Sequence, residues 1–177
     1  MKDLANDMRV IGIDPGLAAT GYGIIESNGL NKYTCITFGS IKTSRKKDIP
    51  SRLFDIYSHL SNIMESYSPD LAGIETVFIG KDPKNHLHMG EARGVIFLAM
   101  KMKNISIHEF SPLQVKKSIT GYGGAQKAQV SFMVTRLLSI NTPIDEHAAD
   151  AMAIAMAVMN QHDLEQRYGQ NDRIHTR

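Results

Sequence analysis

Apolar positions change their spacing several times along the chain, and each change predicts an element. Met8 to Asp14 (MRVIGID) is apolar and rich in β-branched residues, and Pro15-Gly16 stops it, which predicts a buried strand ending in a turn. Thr20 to Glu26 and Tyr33 to Ile41 read as two further strands bounded by Gly, Asn or Ser, and their short links favour antiparallel hairpins. From Ile49 to Ser66 the period becomes helical: Leu53, Ile56, Tyr57, Leu60, Ile63 and Met64 fall on one face, and Pro50 suits a first turn. Leu71 to Glu75 (LAGIE) reads as a short buried strand. His86 to Lys103 reads as a long helix with Gly90 and Gly94 on one side, spaced to let another element approach closely. Ile105 to Phe110 is a fifth strand. Helices follow over Ser111 to Thr120, Ala125 to Leu138 and about Asp145 to Gln161, with Gly121 to Gly124 as a hinge between the first two.

The order β-β-β-α-β-α-β-α-α-α predicts an α/β domain: a five-stranded mixed sheet flanked by helices. The expected organisation is a flexible extension over 1–7, one domain over 8–162, and a polar, disordered tail over 163–177.

Composition adds little to that picture but excludes several classes. With 177 residues, 42% hydrophobic and 21% charged, the chain suits one globular domain and not a disordered one. Its single cysteine, Cys35, excludes an internal disulfide and argues against a cysteine zinc site; a wholly or half-buried thiol in a reducing cytoplasm is expected. The apolar run Ala151 to Met159 is nine residues, far short of the roughly 20 that span a bilayer. The amino terminus carries Lys2, Asp3 and Asp7 and no apolar core, so a soluble, cytoplasmic protein without membrane contact is expected. The methionines, such as Met152, Met156 and Met159, fall at helical spacing and read as core filler.

Net charge is only +2, yet its distribution is uneven. Between Lys81 and Lys127 eight cations face three anions, whereas Asn141 to Glu165 holds five acids and no Lys or Arg. Lys42, Arg45, Lys46 and Lys47 form a second basic cluster. A basic surface beside a small acidic centre suits an enzyme acting on a polyanion through metal ions. Solvated faces are the ordinary alternative.

The acids themselves sit at telling places. Asp14 and Glu75 each end a predicted strand, where sites form in open α/β sheets. His147 and Asp150, three apart near the start of a helix, share one face. Singly, each has an ordinary explanation as a turn cap, a strand-end charge or a helix-start acid. Together they suggest a site, because a carboxylate that follows an apolar strand must be paired or bind a cation. If the first and fourth strands are neighbours, both strand ends and the helix start converge. Hard divalent cations take such oxygen ligands, and two of them roughly 4 Å apart can drive phosphodiester hydrolysis.

Gly12-Ile13-Asp14-Pro15-Gly16, followed by Thr20-Gly21-Tyr22-Gly23, resembles the opening of RuvC-type Holliday-junction resolvases. So do Ile74-Glu75-Thr76-Val77-Phe78, Glu91-Ala92-Arg93-Gly94-Val95, the Pro112 to Lys117 segment, Gly121 to Lys127 and Ala148 to Ala155. These motifs fall in family order from about residue 8 to residue 160, and the ordered set is specific where any single one is weak. The resemblance implies an RNase H-like (integrase-superfamily) fold and a homodimer that resolves four-way DNA junctions by paired symmetric nicks, in recombination and repair. It implies that Asp14, Glu75, His147 and Asp150 form the catalytic metal site, with two Mg2+ per subunit and Mn2+ able to substitute. Many members carry Asp at the position of His147. Imidazole is a softer ligand that suits manganese as well as magnesium.

The resemblance also makes Phe78 a stacking wedge at the junction and places Lys116 and Lys127 on the scissile strand. Lys117, Arg93, Lys81 and Lys84 are weaker phosphate contacts. Gly121 to Gly124 lacks the Gly-Lys-Ser/Thr ending of a nucleotide loop and reads as a DNA-contact loop. A branch-migration complex of the RuvA/RuvB kind is the implied partner, and the Gly90/Gly94 helix is the expected part of the dimer interface. Two other readings stay open: a junction-binding protein whose catalysis His147 has impaired, and an actin- or sugar-kinase-like phosphotransferase, since Asp-Pro-Gly after a strand also suits that related fold.

Overall fold

The computed structural model describes residues 8–29, 31–76 and 83–171, without the side chains of 83–85 and 168–171. Phe78 and Lys81, the extension over 1–7 and the end of the tail lie outside the described residues, as does the side chain of Lys84. The strands are β1 (Arg9–Asp14), β2 (Ala19–Ser27), β3 (Tyr33–Lys42), β4 (Leu71–Glu75) and β5 (Ser106–Phe110). The helices are α1 (Ile49–Tyr67), α2 (Pro83–Met102), α3 (Pro112–Thr120), α4 (Lys127–Leu137) and α5 (Glu146–Asn171).

The strands form one sheet in the order β3-β2-β1-β4-β5. The hairpins β1–β2 and β2–β3 are antiparallel, whereas β4 joins β1 in parallel and β5 joins β4 in parallel, as crossovers through α1 and α2 require. Ile11, Ile13, Ile24 and Ile74 face a core shared with Ile56 and Leu60 of α1 and Ile96 and Met100 of α2. Val10, Ile25 and Phe110 face the other core, with α3, α4 and α5. Met152, Met156 and Met159 are all buried there, as the helical spacing predicts.

Period-2 alternation then decides where the acids point. Gly12 faces α5, so Asp14, two residues on, faces α5 as well. Gly73 also faces α5, which sends Glu75 to the same side. Ile13 pairs with Ile74, so Asp14 and Glu75 are adjacent strand ends at one edge of the sheet.

Three glycines let α5 lie directly on the sheet. A Cβ at Gly12 would sit 2.0 Å from the Ala151 carbonyl oxygen, and one at Gly21 would sit 2.0 Å from that of His147. At Gly73 the obstacles would be Val158 and Ile154. The helix supplies Ala148, Ala151 and Ala155 in return, all 1% exposed or less. This close approach delivers His147 and Asp150 over the ends of β1 and β4.

The final helix runs further than its apolar period predicts, to Asn171 instead of Gln161. Asp163, expected in a disordered tail, is helical and only 8% exposed. Its Oδ2 accepts hydrogen bonds from the Tyr33 hydroxyl and the Asn31 backbone N–H, both at 2.9 Å. Partners on the β2–β3 hairpin thus hold a polar turn that local sequence leaves unsupported. Among the described residues no helix is long and apolar enough to cross a membrane.

Candidate active site

Asp14, Glu75, His147 and Asp150 all line one cleft of about 840 Å³ at the carboxyl ends of β1 and β4. The His147 Nδ1 donates to Asp14 Oδ2 at 2.7 Å. Lys127, the first residue of α4, places its ammonium 2.7 Å from Asp150 Oδ2 and also pairs with Glu146. Glu146 therefore belongs to Lys127's ion pair and is exposed. A smaller cavity of about 220 Å³ adjoins, bringing Lys116 of α3 beside Glu75, Lys127 and Asp150.

The carboxylates strain against one another. Burial, then the charges of Asp14 and Asp150, push the Glu75 carboxyl up to about 7. Burial raises Asp14 as well; the His147 hydrogen bond pulls it back only in part, and Asp150 adds to the rise. Burial disfavours the charged Lys127 ammonium, but the Asp150 and Glu146 hydrogen bonds outweigh it and hold the pKa above that of an ordinary lysine. At the shoulder of the site Asp145 also resists burial: the Ser40 hydroxyl and the Ala148 N–H donate to it and keep its carboxyl low. Asp145 thereby anchors the start of α5 to β3.

A family model described as crossover junction endodeoxyribonuclease RuvC matches residues 10–158. The chain is 48% identical over 150 residues to the crossover junction endodeoxyribonuclease RuvC of Caldicellulosiruptor saccharolyticus, covering 84% of this chain and 90% of that one. It is 42% identical over 163 residues to the protein of the same name from Halothermothrix orenii, covering 92% and 98%. The chain belongs to the RuvC family. Among solved structures, Thermus thermophilus RuvC in complex with a Holliday junction substrate superposes with a TM-score of 0.84 at 27% identity, covering 89% of this chain and 96% of that one. The five-stranded mixed sheet is accordingly RNase H-like, and the phosphotransferase alternative is set aside.

RuvC-family nucleases depend on divalent metal ions, and the donor set here fits such an ion. Three carboxylates and an imidazole face one cleft, and a shared cation would offset both the burial and the mutual repulsion that raise Asp14 and Glu75. Among the described residues no three His, Asp or Glu side chains already stand as a formed cage. Asp14 Oδ2 is turned to His147 and Asp150 Oδ2 to Lys127, and each carboxylate keeps its second oxygen to offer a cation.

The RuvC-type basic residues divide. Lys116 and Lys127 line the site. Lys117, one residue on, points to a separate groove with Asn160 and Asp163. Arg93 is engaged by the protein itself: it donates to the Glu75 backbone carbonyl, pairs with Glu109 at 2.6 Å and stacks on Phe97, leaving its side chain 11% exposed. It ties β4 to β5 beneath Glu75. The cleft also includes Arg45, from the second basic cluster, together with Arg52, His88 and Met89, which the sequence does not mark. Arg52 follows Pro50 in a helical run and carries no motif, so only the fold reveals its place.

Proposed function

We propose that this chain resolves four-way DNA junctions by hydrolysing one phosphodiester in each of two symmetric strands, acting as a homodimer. The observation that carries the reading is the convergence of Asp14, Glu75, His147 and Asp150 on one cleft with Lys116 and Lys127, in a chain matched to RuvC over 10–158. Asp14, Glu75, Asp150 and His147 would hold the divalent ions, two Mg2+ in each subunit with Mn2+ as a substitute. Ions held there would supply a water made nucleophilic at neutral pH and charge stabilisation at the leaving oxygen. Asp14 and Glu75 sit on rigid strand ends, which fixes where the reacting phosphate must lie. Lys116 approaches from α3 and offers its ammonium to the charge that develops there. Lys127 bridges Asp150 and Glu146 and orients the Asp150 carboxylate. The Asp14 bond occupies Nδ1 of His147, so Nε2 is the ring nitrogen left to ligate.

Phe78 is the proposed wedge that stacks on an unpaired base, and Lys117 a peripheral phosphate contact. A cytoplasmic setting and a RuvA/RuvB-type branch-migration partner complete the reading.

The test is a synthetic four-way junction offered to wild type, Asp14→Asn and His147→Ala across Mg2+ and Mn2+ titrations. Wild type is expected to give paired nicks. Asp14→Asn is expected to bind and not cut. His147→Ala is expected to need more Mn2+ for the same rate, and equal rates would reject His147 as a ligand. Junction binding by wild type without cutting in either metal would replace the nuclease reading with that of a binding protein.

A further inference from the structure

The cleft has a basic wall that the carboxylates do not employ. Arg45, in the loop after β3, and Arg52, early in α1, line the same 840 Å³ space as Asp14, Glu75 and Asp150. Helix α1 lies on the sheet face opposite α4, so these arginines stand across the cleft from Lys127. Arg52 is half-buried and aimed. Its Nε donates to Thr43 Oγ1 at 2.8 Å, and that hydroxyl donates to the Leu17 carbonyl at 2.6 Å. One of the five guanidinium N–H groups is thus fixed by the fold, and the terminal nitrogens have no partner among the described residues. Arg45 is exposed and makes no hydrogen bond or ion pair among the described residues.

The nearby acids do not explain these cations. Asp14 and Glu75 are served instead by Lys127 and Lys116, and Asp14 also by its hydrogen bond with His147. Asp48 caps α1 by accepting from the Ser51 N–H, and Asp55 is paired with Lys47 at 2.7 Å. An aimed guanidinium facing a cleft, with no internal anion, selects a phosphate, which it can take through two parallel N–H groups. A DNA strand carries one phosphate per roughly 3.4 Å of helix axis, so a strand with its scissile phosphate over the acids brings neighbouring phosphates into the same space.

We propose that Arg52, aimed by Thr43, and Arg45 form a phosphate subsite that grips the backbone of the cleaved strand beside the scissile linkage. The assignment rests on the reading that this cleft holds the strand being cut. The strand is clamped from both sides, by Lys116 and Lys127 on one wall and by two arginines on the other.

The test measures junction affinity for wild type, Arg45→Gln, Arg52→Gln and Arg52→Lys in EDTA over a range of KCl. Each glutamine variant is expected to lower the slope of log affinity against log salt by about 0.9, the value for one lost phosphate contact, while Arg52→Lys keeps the slope. A junction with single methylphosphonate linkages beside the scissile step provides the second reading. One such linkage is expected to weaken wild type about tenfold and leave Arg52→Gln unchanged. Wild-type slopes in both glutamine variants, or a methylphosphonate penalty that persists in Arg52→Gln, would overturn the subsite. Arg45 has no internal partner to lose, so Arg45→Gln decides the matter if Arg52→Gln folds poorly. Cutting of the unmodified junction by wild type is scored separately: its failure sinks the nuclease reading, whereas the binding slopes still judge the arginines.

Discussion

Glu75 shows how a single residue carries both the tension and the chemistry of this site. Its carboxyl is pushed from 4.5 to about 7 by burial and by Asp14 and Asp150, while in the unfolded chain it titrates near its ordinary value. Between those two pH values the folded protein binds the extra proton, so the Glu75 contribution to metal-free stability is fully present below about 4.5 and is lost as pH rises through 7. The expected outcome is a melting temperature in EDTA that drops more steeply from pH 5 to pH 8 for wild type than for Glu75→Gln. Mg2+ at pH 8 should restore wild type and leave Glu75→Gln unmoved. Scanning fluorimetry checks this, and parallel curves would contradict it. The acids were legible from sequence because each follows an apolar strand or opens a helix, positions where an unpartnered charge is costly. Their immediate partners were not. The Asp14–His147 bond spans 133 positions and Lys127 reaches Glu146 across 19, distances over which sequence has no period to read. Arg93 illustrates the reverse: its motif suggested phosphate, yet Glu75, Glu109 and Phe97 surround it.

At the scale of elements, α5 is the part on which the site's precision depends. Gly12, Gly21 and Gly73 form the bed it lies in, and a methyl group at Gly21 would meet the His147 carbonyl, which α5's first turn cannot yield without shifting. Gly21→Ala is therefore expected to displace His147 and Asp150 together. A displacement near 1 Å costs about 100-fold in rate. Single-turnover cleavage should fall by about that factor with junction affinity held within a few-fold; a rate close to wild type would show that the bed tolerates a methyl group. The hydrophobic period placed nine of the ten described elements to within a few residues at both ends, because burial on two sheet faces imposes it. It failed at the end of α5, where Asp163, Tyr33 and Asn31 supply polar support from a hairpin that is remote in sequence.

At the scale of the whole molecule, α2 shows solvent an apolar stripe that no described residue covers. Ala92, Ile96, Ala99 and Met100 of α2 are buried against the sheet, but Leu87, Leu98 and Met102 are more than half exposed. A Cβ at Gly90 or Gly94 would meet nothing within 4 Å. Leu87, Gly90, Gly94 and Leu98 recur at helical spacing, giving an apolar stripe with a low middle that a second copy of the same stripe can cross closely. In the homodimer proposed above, two active sites would be related by a two-fold axis, and a self-complementary patch is how such a dimer forms. Leu98→Glu places a charge in that contact without touching either core. It is expected to yield a folded monomer by light scattering and unchanged circular dichroism. Its junction products should then shift from paired to single nicks, because one subunit can reach only one strand at a time. A Leu98→Glu protein that remains dimeric would move the interface to another face and leave the stripe without a role.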